Sequence, residues 1–97
     1  MWIGWIEFDV LLGDVHSLKG KRAVIRPIIA ELRRATEASV AEVGEQDLHR
    51  RTVIGVGVVA SGADRVTETL DRAERLVADR PEVTLLSARR RLQRSDD

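Results

Sequence analysis

Residues 52–60, TVIGVGVVA, are the most apolar stretch of the chain. The run is rich in β-branched residues, short, and bounded by Arg51 and by Ser61-Gly62. Those features predict a central buried strand and argue against a helix. A buried strand needs a neighbour on each side and a layer to cover it. With 97 residues, below the roughly 150 at which a second core becomes plausible, one domain has to supply all of these.

Residues 2–12 predict a second strand. Trp2, Ile6, Phe8, Val10 and Leu12 share one parity with Gly4, while Ile3, Trp5, Glu7, Asp9 and Leu11 share the other. The even face is the better core face, because Glu7 and Asp9 require water. Ser17 then reads as the N-cap of a helix running from Leu18 to Thr36. Its apolar stripe is Val24, Ile25, Ile28, Ile29 and Leu32. Pro27 conflicts with a straight helix, since it lacks an N–H and crowds the carbonyl of Ala23. A loose turn over residues 17–23, with a break near Ala23, is the expected resolution. Residues 38–43 form a short strand of ambiguous parity. A second helix is expected from a cap at Asp64 to about Asp79, with an Asp71–Arg75 pair on its wet face. A last strand spans about residues 83–92.

The order β-α-β-β-α-β with right-handed crossovers leaves few topologies, and the commonest is the ferredoxin-like sandwich. The expectation is thus an α+β fold: a four-stranded antiparallel sheet in the order 4-1-3-2 with both helices on one face. Strands one and three are expected as a parallel central pair. Residues 1–92 form the domain and 93–97 a polar tail.

Composition removes several classes. Hydrophobic residues are 43% and charged residues 33%, ordinary for a soluble globular protein. No apolar run approaches the ~18 residues of a membrane span. The start MWIGWIEFDV lacks the basic region of a signal peptide. Zero cysteines exclude disulfides and thiolate chemistry. A cytoplasmic protein that does not enter membranes is expected. Sixteen basic and sixteen acidic residues give no net charge, so nucleic-acid binding would need a local basic patch.

One such patch exists. His16-Ser17-Leu18-Lys19-Gly20-Lys21-Arg22, continued by Arg26, places cations at a helix start, and no acidic residue lies between Ser17 and Ala30. Cations there add to the positive end of the helix dipole, which disfavours the helix and favours a bound phosphate. His16, Ser17, Lys19, Lys21, Arg22 and Arg26 are therefore the candidate anion or RNA-phosphate ligands, with a solvated helix face as the plain alternative. Arg89-Arg90-Arg91 and Arg94 fall on a predicted edge strand, where charge serves to block aggregation. Ile3 and Trp5 share the open sheet face with Gly55 and Gly57. These four mark a flat apolar interface, unless Trp5 merely covers the glycine backbone.

Other chemistries fit poorly. An RNA-recognition motif stacks bases on aromatics of strands one and three, and here the third strand carries valines. Asp14, His16 and Ser17 are too close in sequence to converge as a triad. Glu45 and His49 could ligate a metal only as part of an ordered turn, and a solvated hairpin loop is the simpler reading. Gly55-x-Gly57 lies inside a strand and makes no dinucleotide loop. No catalytic residues, no cofactor and no metal are expected.

Several of these segments together resemble the YlxP-like family of small bacterial proteins of unknown function. They are Ile3-Gly4, His16-Ser17-Leu18-Lys19 with Lys21-Arg22, Ser39-Val40-Ala41-Glu42-Val43, Gln46-Asp47-Leu48 and Ile54-Gly55-Val56. The likeness covers about residues 1–92. It departs at Gly20, where the family usually carries an acid, and at Thr36 and His49, where aromatics are common. The resemblance implies a ferredoxin-like fold and a link to translation, members being often encoded beside a translation initiation factor and ribosome-binding factor A. The implied role is a non-enzymatic factor of translation or small-subunit maturation whose partner is ribosomal RNA or the small ribosomal subunit. The alternative is a homodimer, or a module binding a protein or small ligand, that uses the open sheet face.

Overall fold

A computed structural model describes residues 1–96. The elements are β1 (Trp2–Leu12), α1 (Leu18–Thr36), β2 (Ser39–Gly44), β3 (Arg51–Ala60), α2 (Ala63–Ala78) and β4 (Val83–Arg94). The strands form one sheet in the order β2-β3-β1-β4, which is the expected ferredoxin-like α+β arrangement. The last strand runs two residues beyond its expected end at Leu92; Asp97 lies outside the described residues.

The direction of the central pair corrects the sequence reading. β1 and β3 are antiparallel, with Trp2 opposite Ala60 and Leu11 opposite Arg51. The reason is the chain path. The α1 crossover returns β2 in the direction of β1, and the hairpin then reverses β3, which sits between them.

The even face of β1 is buried as expected. Ile6, Phe8, Val10 and Leu12 are fully buried. Ile6, Phe8 and Val10 pack with Ile54 and Val56 of β3, Ile28 and Leu32 of α1, and Val66 and Leu70 of α2. β2 resolves its ambiguity by turning Val40 inward and leaving Val43 exposed. Gly4 lets α2 approach the sheet closely, since a Cβ there would lie 2.2 Å from Val66 Cγ1.

α1 is continuous through Pro27, so the expected loose turn at 17–23 is absent. Ser17 Oγ accepts from the Gly20 N–H at 2.9 Å, and the Lys21 N–H bonds the Ser17 carbonyl at 3.0 Å. Both are regular first-turn bonds. The bond missing at Pro27 is tolerated because Pro27 and Ala23 are both exposed, so the ring and the orphaned carbonyl face water. In α2 the cap is Gly62, and Asp64 sits in the first turn, where it complements the dipole.

Candidate functional site

The basic run divides between two environments. Lys19, Arg22 and Arg26 are exposed on the outer face of α1. Their spacing of three and then four residues aligns them along the axis; Arg33, seven further on, continues the row but donates from Nη2 to the Val40 carbonyl at 2.6 Å. Lys19 to Arg33 spans about 21 Å at ~1.5 Å per residue. Glu31 is the one acidic residue within α1, and Arg80 takes it at 3.3 Å. Among the described residues, Lys19, Arg22 and Arg26 have no ion-pair partner. Arg34, also exposed, lines a polar cleft of about 260 Å³ of mixed charge, with Arg65 and Arg72 and also Glu37 and Glu68. Arg33 and Arg34 escape a reading centred on the helix start; they are the basic residues of the last turn of α1, where cations complement the dipole.

Lys21 is a correction. It is 2% exposed, and its ammonium is fully satisfied. Nζ donates to the carbonyls of Glu45 at 2.7 Å and Gln46 at 3.3 Å and lies 2.9 Å from Glu42 Oε2. Thr52 Oγ1 donates to the same Glu42 oxygen at 2.7 Å. A lysine with all three protons engaged inside the protein cannot serve an external phosphate. The sequence signal was its position: Lys21 precedes Ile25, Ile28 and Leu32 by four, seven and eleven residues, on the buried stripe. Ser17 is committed to the helix cap. His16 is exposed in the β1–α1 loop, with Nε2 2.7 Å from Asp14 Oδ1.

The second candidate surface assembles as expected. Ile3, Trp5, Gly55 and Gly57 share the sheet face away from the helices, with Trp5 opposite Gly57 and Ile3 opposite Val59. Two ion pairs cross that face: Glu7–Arg89 at 3.1 Å and Asp9–Arg51 at 2.7 Å. The hydrogen bonds from Arg51 to Asp9 raise the guanidinium pKa above its ordinary value, with partial burial working the other way. On β4, Arg90 reaches Asp71 and Glu74 at 2.8 and 2.9 Å, which displaces the expected Asp71–Arg75 pair. Arg94 lies over the Trp2 ring, 5.7 Å from its centroid. Three of the β4 arginines, Arg89, Arg90 and Arg94, are thus engaged within the chain. Glu45 and His49 lie in the β2–β3 loop, and no cluster of three metal-ligating side chains occurs among the described residues.

The fold and these surfaces define a small α+β sandwich protein with a basic helix face and a bare sheet face. The chain belongs to the family described as Protein of unknown function (DUF503), whose model matches residues 3–90. It is 32% identical over 81 residues to the Bacillus subtilis (strain 168) protein named Uncharacterized protein YlxP, covering 84% of this chain and 88% of that one. Among solved structures, a point mutant of SnoaB, a cofactor-independent oxygenase from Streptomyces nogalater, aligns over 99% of this chain and 94% of its own, with 13% identity and a TM-score of 0.47. That neighbour is an enzyme, so the expectation that this chain has no enzymatic role is withdrawn; a likeness of this size assigns it no activity. No helix among the described residues is long and apolar enough to cross a membrane.

Proposed function

We propose that this protein is a cytoplasmic factor of translation or small ribosomal subunit maturation that contacts ribosomal RNA phosphates through the outer face of α1. One observation carries the reading: Lys19, Arg22 and Arg26 lie in a row on an exposed helix face without carboxylate partners among the described residues. A helix selected for stability alone would place acids near its N-terminus. Cations left unpaired there are instead suited to phosphate oxygens, as point charge from lysine and as a planar fork from arginine. The resemblance to a family linked to translation supplies the choice of RNA.

The test is co-sedimentation of the full chain with purified small ribosomal subunits at low salt. The variant Lys19→Glu/Arg22→Glu/Arg26→Glu is expected to stay in the supernatant while the wild type pellets. Lys21 is left intact, because its loss would act on the fold. Equal pelleting of the two proteins overturns the proposal.

A further inference from the structure

The open sheet face carries a knob and a hollow side by side. Trp5 is 36% exposed and stands directly opposite Gly57 in the β1–β3 register. A Cβ at Gly57 would meet nothing within 4 Å, so the indole does not cover this glycine. Above it lies a groove of about 310 Å³ lined by Trp5, Ala41 and Val43 among others. Val59, 65% exposed, extends the apolar surface toward the end of β3.

The geometry points to a second copy of this chain as the occupant, in a two-fold dimer in which Trp5 of each copy fills the Gly57 groove of the other. A two-fold contact requires a surface complementary to itself. A large aromatic and a bare glycine on adjacent strands of one face meet that requirement. The charges agree. Glu7 and Asp9 are already paired with Arg89 and Arg51, the chain has no net charge, and two copies approach without repulsion. Arg91, opposite Trp5 on β4, adds a cation at the rim, where interfaces are polar. A nucleic acid fits this face less well, since Trp5 is its single aromatic and stacking platforms use several. The area agrees too. Strands of 11, 6, 10 and 12 residues, at ~3.4 Å per residue and ~4.8 Å apart, present roughly 640 Å², within the ~600–1,000 Å² each partner contributes to a standard-size interface. Both copies keep α1 outward, so the dimer stands independently of the RNA reading.

Sedimentation velocity of the full chain across a concentration series tests this, with Trp5→Glu and Gly57→Lys as variants and circular dichroism to confirm folding. Gly57→Lys projects into open space, whereas Trp5→Glu also removes a ring about two-thirds covered within the monomer, so circular dichroism and the Gly57 variant separate a lost interface from a lost fold. The wild type is expected at twice the 10.8 kDa chain mass, and each variant is expected to raise the dissociation constant at least tenfold, the loss of a central anchor. A single-chain mass for the wild type at the highest concentration reached overturns the inference. So does a dimer whose dissociation constant changes less than tenfold in either variant.

Discussion

The Lys21 ammonium and the Glu42 carboxylate meet at 2.9 Å inside the fold, joining the first turn of α1 to β2. Lys21 is almost wholly enclosed, and Glu42 keeps about a fifth of its side-chain surface. The same lysine bonds the first two carbonyls of the β2–β3 loop. One side chain therefore positions both the start of the basic helix and the hairpin beside it.

Lys21→Met is expected to destabilise the protein by about 3 kcal/mol, because it strands a partly buried carboxylate. On a chain of this size that is a fall in Tm of roughly 15 °C. Adding Glu42→Gln removes the stranded charge and keeps an acceptor for Thr52, so the double variant should recover part of the loss. A thermal-melt double-mutant cycle measures the coupling. Additive losses would show that the two groups do not interact.

Gly4→Ala is expected to cost about 2–3 kcal/mol. The new methyl would lie 2.2 Å from Val66 Cγ1 and 3.2 Å from Leu70 Cδ1. Val66 is β-branched and held by its helix, so α2 has to move away from the sheet. Gly13→Ala, in the β1–α1 loop with nothing within 4 Å of a Cβ, provides the control and should change denaturant stability by well under 1 kcal/mol.

Charge reversal on α1 separates binding from folding by sign. Glutamate in place of Lys19, in the first turn of α1, faces the positive end of the helix dipole and should stabilise the protein by about 0.3–1 kcal/mol at low salt, while glutamate at Arg22, one turn further in, adds less. The same changes should weaken RNA binding and flatten its salt dependence by about 0.7–0.9 per lost phosphate contact. Urea melts and salt-titrated binding to a ribosomal RNA fragment measure the two effects. A destabilised double variant would show that these cations support the fold.

The parts of this fold set by alternation were readable in the sequence. Glu7 and Asp9 fixed which face of β1 is wet, and that face led to Trp5 and the paired glycines. What escaped depends on where elements meet. Charge and chain neighbours group Lys21 with the exposed cations, while its burial follows from the loop carbonyls and Glu42, which arrive from residues 42–46. Glu42 occupies an inward position that only a cation from another element makes tolerable. The direction of β3 relative to β1 follows from the path through α1 and the hairpin, which local propensity does not encode.

Pro27 offers the last test, because the helix passes through it unbroken. Proline in a helix interior is about 3 kcal/mol less favourable than alanine, through the lost bond to Ala23 and the crowding of its carbonyl. Proline also stiffens the unfolded chain, which offsets up to about 1 kcal/mol of that. Residue 27 is exposed, so alanine removes no core packing. Its carbonyl remains available to Arg80 Nη2 at 3.4 Å. Pro27→Ala is therefore expected to stabilise the protein by about 2 kcal/mol in urea melts, and to leave RNA binding unchanged, since Arg22 and Arg26 keep their places on the outer face. Hydrogen exchange should show new protection at the amide of residue 27. A loss of stability on this substitution would mean that α1 is selected to carry a bend here, and that its basic row follows a curve set by the proline.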